Sequence, residues 1–161
     1  MILHAGLIAA RLDGDWRGVL IEGPSGAGKS DLALRAFGEG FSLVADDRTL
    51  VWGCGGELFG RAPDTIFGLM EIRGLGIVRQ SALPFCRIVL AVRCEQAERM
   101  PAPRFNEYAG LSIPVLSLAP LEYSATAKMK RALQHLGRGA EGAYQSGLAA
   151  GPSPRPGGDS R

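Results

Sequence analysis

Apolar runs of strand length recur along the chain at Leu7 to Ala10, Val19 to Ile21, Phe41 to Ala45, Arg87 to Val92 and Ile113 to Leu118. The first two flank Asp13-Gly14-Asp15, which is suited to a hairpin turn. Between the second and third runs the period changes. Leu32 with Ala36 and Ala33 with Phe37 repeat at helical spacing, which predicts a helix over Ser30 to Phe37 stopped by Gly38 and Gly40. A second helix is predicted over Ser124 to Leu136, with Met129, Leu133 and Leu136 as its apolar stripe, Ser124 as N-cap and Gly137 as stop. The order strand, loop, helix, strand from Val19 to Ala45 is that of a βαβ unit and predicts an α/β fold, a sheet covered by helices. From Gly137 onward the pattern ends: the last 25 residues hold seven glycines and three prolines. Such a segment cannot offset the entropy of ordering, so one domain is expected over 1–137 and a disordered Gly/Pro-rich tail over 138–161.

Composition narrows the class. With 161 residues, 46% hydrophobic and 21% charged, the chain is sized for one globular domain with a core. Eighteen Lys+Arg against 16 Asp+Glu give a net charge of +2, too balanced for a general nucleic-acid footprint. No apolar run reaches the roughly 18 residues of a membrane span, and MILHAGLIAARLDG lacks the cationic start and cleavage site of a signal peptide. A cytoplasmic location is expected, with neither nucleic acid nor membrane as partner. Cys54, Cys86 and Cys94 are odd in number and without C-x-x-C spacing, which argues against a disulfide framework and a zinc site.

The chemistry concentrates in three segments. Gly23-Pro24-Ser25-Gly26-Ala27-Gly28-Lys29-Ser30 fits the eight-residue P-loop pattern, preceded by a strand-like and followed by a helix-like run. Glycines let several backbone N–H groups point inward at phosphate oxygens, and the helix N-terminus adds partial positive charge. A plain flexible Gly/Ser turn would not need that context, nor one of only three lysines among the 18 basic residues. The nucleotide-binding set is therefore Gly23 through Ser30 together with Asp31; Lys29 is expected on the outer phosphates and the Ser30 hydroxyl on Mg²⁺.

Phe41 to Ala45 ends in Asp46-Asp47, at the strand tip where ligands sit in open α/β sheets. Adjacent strand residues point to opposite faces, so the two carboxylates need not share a role. Third, Glu71-Ile72-Arg73-Gly74-Leu75-Gly76 sets a carboxylate and a guanidinium two residues apart in an apolar stretch. Charges there are costly unless paired or bound to a ligand. Glu71 suits a Mg²⁺ shell and Arg73 a phosphate, or the two form a structural ion pair.

These segments, with His4 opening the first strand, resemble in order those of the catalytic domain of HPr kinase/phosphorylase, the bacterial enzymes that phosphorylate a serine of the phosphocarrier protein HPr. The resemblance covers about His4 to Arg99. It implies a P-loop kinase domain of the HPr kinase and phosphoenolpyruvate carboxykinase-like type, a central mixed sheet with flanking helices. It also implies ATP and Mg²⁺ as cofactors, an HPr-type protein as partner, and both kinase and phosphorolysis chemistry. Carried over by position, Asp47 matches the catalytic carboxylate, base toward serine and acid in reverse, with Asp46 as its paired neighbour. Lys29 and His4 match active-site positions, Ser30 and Glu71 the Mg²⁺-binding ones, and Arg99 a further active-site arginine.

The catalytic part begins at residue 4, so a short single-domain variant is expected. The family's later glycine-rich motif, linked to dephosphorylation, has no counterpart in Leu116-Ser117-Leu118-Ala119-Pro120, so the kinase direction is expected to dominate. Two other readings of the same residues stay open. One is a small-molecule P-loop kinase with Arg99 and Arg104 in a lid; the other is a non-catalytic nucleotide-dependent regulator. Assembly into a homo-oligomer is left open as well.

Overall fold

The structure, a computed structural model, describes residues 1–136. The predicted tail and the Gly137 stop lie outside them. In chain order the described residues form β1 (Ile2–Leu3), β2 (Gly6–Leu12), β3 (Asp15–Glu22), α1 (Lys29–Phe37), β4 (Phe41–Ala45), β5 (Thr49–Cys54) and β6 (Glu57–Arg61). Then come a short 3₁₀ turn (Asp64–Ile66), β7 (Leu69–Ile72), β8 (Gly76–Arg79), β9 (Cys86–Cys94), β10 (Phe105–Tyr108), β11 (Leu111–Leu118) and α2 (Ala125–Leu136). All five predicted strands and both predicted helices are present; β1, β5 to β8 and β10 lie beyond what the apolar runs marked.

Asp13 and Gly14 both take positive φ, 52° and 77°, which makes the tight turn that joins β2 to β3 in register, Leu12 opposite Asp15. The helix α1 then crosses back to β4. Instead of pairing with β3, β4 pairs antiparallel with β2, which lies between them. The strand–helix–strand unit is thus a split one: β3 and β4 run in the same direction with an antiparallel strand inserted, and the sheet is mixed.

At the centre lies β9. One edge pairs parallel with β3. Its other edge is shared, antiparallel with β6 over Cys86 to Ile88 and parallel with β11 over Ala91 to Cys94. From that fork one arm runs through β6, β5 and β1, and another through β11 and β10. The nine-stranded sheet curls in consequence, and both faces of its central strands are buried. Ile8, Ala10, Val19 and Ile21 pack under α1 and α2 with Leu32, Met129 and Leu133. Leu7, Ala9 and Leu20, alternating with them, pack inside the curl against Val51, Leu58, Ile113 and Val115. Both helices therefore lie on one face, and the sheet covers its own other face. Separate from it, β7 and β8 form a two-stranded hairpin beside the tip of β4. No helix among the described residues is long and apolar enough to cross a membrane.

Candidate active site

The loop from Gly23 to Gly28 joins the end of β3 to α1. Gly26 (φ 80°) and Gly28 (φ 101°) adopt left-handed conformations that side chains resist, and Gly28 is the N-cap of α1. A Cβ on Gly28 would lie 3.4 Å from Pro120 Cγ and 3.5 Å from Leu121 Cδ2, so the segment after β11 closes over the loop. Behind the loop stands β9, where a Cβ on Gly23 would come within 3.0 Å of Cys94 Cβ. Lys29 Nζ donates to the carbonyls of Gly23 (2.7 Å) and Pro24 (3.0 Å), which holds the ammonium over the loop.

Asp46 is buried where β4, α1 and β7 meet. Its Oδ1 accepts from Ser30 Oγ at 2.9 Å, and its Oδ2 from the Glu71 backbone N–H at 3.0 Å. One carboxylate thereby ties together all three segments singled out in the sequence. Burial pushes its pKa above the ordinary carboxylate value and outweighs the downward pull of those two hydrogen bonds, with Asp47 and Glu71 adding a smaller upward push.

Asp47 faces the other way. Its φ is 68°, and the Arg48 N–H returns to the Asp46 carbonyl at 2.8 Å, so Asp47 sits at the centre of a strained three-residue turn. That turn leaves its carboxylate more than half exposed, with Oδ1 3.7 Å from His4 Nε2. His4 follows β1, which pairs with β5, and the buried Thr49 hydroxyl donates to the Ala5 carbonyl at 2.8 Å. These bonds place the imidazole beside Asp47.

A cleft of about 490 Å³ takes in Lys29, Ser30, Asp47, Glu71 and Arg73, with Leu121 on its wall. Arg73, in the β7–β8 turn, brings Nη2 within 3.7 Å of where a Cβ on Gly26 would lie. Arg99 is not brought there: it is exposed in the β9–β10 loop and outside the cleft lining. Arg104 is held at the far end of that loop by Glu95, at 2.8 Å. Sequence reading missed Thr49 and the Pro120–Leu121 cover; neither carries a motif, and only long-range packing reveals them.

Among the described residues no three or more His, Cys, Asp or Glu side chains cluster as a self-sufficient metal site. Mg²⁺ does not require one, since it binds through one or two carboxylates together with phosphate oxygens and water. Ser30 and Glu71 line the cleft and Asp46 accepts from the Ser30 hydroxyl, so the oxygen donors of these residues fit a Mg²⁺ of that kind.

Residues 12–86 match the family described as HPr Serine kinase C-terminal domain. Among similar curated proteins, the HPr kinase/phosphorylase of Clostridium perfringens (strain 13 / Type A) is 47% identical over 66 residues, 41% of this chain and 22% of that protein. The HPr kinase/phosphorylase of Mycoplasmopsis pulmonis is 39% identical over 89 residues, 51% of this chain and 29% of that protein. The chain thus matches less than a third of the length of these HPr kinase/phosphorylases. The solved structure of the Hpr(Ser) kinase/phosphatase from Coxiella burnetii superposes with a TM-score of 0.66 at 24% identity, covering 81% of this chain and 96% of that chain. The HPr kinase-type α/β fold expected from the sequence is thereby established.

Proposed function

We propose that this chain is an ATP- and Mg²⁺-dependent protein serine kinase of the cytoplasm, acting on an HPr-type phosphocarrier protein. Residues 1–137 are its catalytic domain. The observation that carries this reading is the joint lining of one cleft by Lys29 and Ser30 of the phosphate loop and by the exposed carboxylate of Asp47.

The chain's own groups divide the work. The loop N–H groups and Lys29 hold the phosphates of the donor and offset charge as the terminal phosphoryl group leaves. Asp47, held out by its turn, accepts the proton of the acceptor serine hydroxyl as the serine oxygen bonds to phosphorus and the bond to the leaving diphosphate breaks. His4 orients that carboxylate from 3.7 Å. Ser30, Asp46 and Glu71 would hold the Mg²⁺, which when bound supplies charge neutralisation on the phosphate oxygens.

Phosphorolysis needs additional anion-binding groups. The stretch from Leu116 to Pro120 carries no basic side chain, so forward transfer dominates. The deciding experiment incubates the purified chain with γ-labelled ATP, Mg²⁺ and an HPr-type protein and locates the label. Phosphoserine on the protein is the expected outcome. Label that moves only to a metabolite would favour a small-molecule kinase, and label that stays on ATP a non-catalytic regulator.

A further inference from the structure

Beside the phosphate cleft lies a second one, about 670 Å³, between α1 and the segment that joins β11 to α2. The two clefts share Asp31 and Leu121, so they meet at the first turn of α1. Tyr123, which stands fully exposed with its ring in solvent, lines the second cleft only. We propose that this second cleft is the base-binding subsite of the nucleotide site, with the Tyr123 ring stacking on the base. The proposal rests on the phosphate-cradle reading above and specifies what lies beyond the phosphates.

Three features support it. The first is continuity: a nucleotide whose phosphates occupy the loop must extend its sugar and base past one end of that loop, and the shared Asp31–Leu121 boundary leads into a cleft large enough for them. The second is rigidity. Arg35 on α1 pairs with Asp31 at 2.9 Å and donates to the carbonyls of Pro120 and Glu122. Thr126 on α2 donates to Glu39 Oε1 at 3.1 Å, and Lys130 to the Glu39 carbonyl at 3.0 Å. These bonds clamp both walls, so the cleft is formed before anything enters it, which lowers the ordering cost of binding. The third is surface chemistry. A flat aromatic ring lining the cleft with the apolar Leu121 side chain matches a base face, whereas Arg35 and Asp31 are paired with each other and the Glu39 carboxylate accepts from Thr126. The wall from Leu121 to Ser124 lies outside the residues that match the family, whereas Asp31, Arg35 and Glu39 of the opposite wall lie within them.

The test compares two ligands by calorimetry in the presence of Mg²⁺: ATP and inorganic tripolyphosphate, which shares the phosphates and lacks sugar and base. Wild-type protein is expected to bind ATP more tightly. Tyr123→Ala is expected to weaken ATP binding roughly tenfold while leaving tripolyphosphate binding unchanged, and Tyr123→Phe to retain wild-type affinity for both. Tyr123 is solvent-exposed, so the substitution leaves the core intact. Equal ATP affinity in wild type and Tyr123→Ala, with tripolyphosphate still bound, overturns the base subsite and leaves the phosphate cradle standing. Failure of wild type to bind either ligand overturns both.

Discussion

Ser30 Oγ donates to Asp46 Oδ1 at 2.9 Å, joining the first residue after the P-loop lysine to the end of β4 sixteen residues later. The other oxygen of Asp46 takes the Glu71 N–H, so removing the side chain breaks two bonds inside a buried junction. Asp46→Ala is expected to cost about 1–3 kcal/mol in chemical denaturation, because the Glu71 amide is left unsatisfied. Asp46→Asn can keep both contacts through its amide, so it should fold normally and instead raise the Mg²⁺ concentration needed for transfer. A normal metal titration in the Asn variant would remove Asp46 from the Mg²⁺ set.

The same carboxylate predicts a pH signature. Its folded-state pKa lies above the unfolded value of 3.8, so the folded state binds the proton more tightly than the unfolded chain does. Asp46 therefore favours folding most below pH 3.8, and this contribution is lost as pH rises through the raised folded pKa. Measured against Asp46→Asn across the acid range to neutrality, wild type should lose relative stability with rising pH. A difference that grows in the opposite direction would mean that the hydrogen bonds outweigh burial.

Asp47, the proposed base, also carries backbone strain. The left-handed conformation costs roughly 1–2 kcal/mol in a side-chain-bearing residue, partly offset in any glycine replacement by about 0.5–1 kcal/mol of chain entropy. Asp47→Gly is accordingly expected to melt no lower than wild type and to transfer no phosphate. Asp47→Asn should bind nucleotide normally and be equally inactive. Transfer at the wild-type rate in either variant would show that another group accepts the serine proton.

Lys29→Ala removes the ammonium from above the loop while leaving the core untouched. Loss of a charge-assisted contact of this kind corresponds to roughly a 10- to 100-fold fall in nucleotide affinity. Cooperative unfolding should persist, since the lost bonds are to the loop's own carbonyls.

Thiol chemistry offers a check of the packing. Cys54 is exposed at the end of β5, whereas burial pushes the Cys86 thiol up to about 12 and raises Cys94 as well. A disulfide reagent should label Cys54 alone in native protein and all three cysteines after unfolding. Native labelling that survives Cys54→Ser would show that the sheet opens around Cys86 or Cys94.

What the sequence discloses follows the range of the interactions involved. The phosphate loop is legible because its glycine spacing, the strand before it and the helix after it are all local. Asp46 and Asp47 are legible as a pair at a strand tip, and strand alternation predicts that they diverge. Their actual difference depends on the turn at Asp47 and on Ser30 and Glu71, which no local pattern joins. The hairpin of β7 and β8 escapes apolar-run reading because Leu75 and Ile77 are exposed and its strands alternate weakly. The insertion of β2 between β3 and β4 is a matter of pairing, which periodicity does not encode. The cover of Pro120 and Leu121 over Gly28 is fixed in part by Arg35, more than 80 residues away, and has no sequence signature at all.

The forked edge of β9 separates kinship from self-sufficiency. The matched segment stops at residue 86, where β9 begins. A polypeptide severed there would keep the matched segment, yet β3 and β6 would each lose a neighbour at once and present raw ladders of amides and carbonyls to other chains. It would also lose Cys94, the backing of the phosphate loop at Gly23. The family match lies in the first half of this molecule, but the strand that covers the edges of β3 and β6 and backs the phosphate loop at Gly23 comes from beyond it.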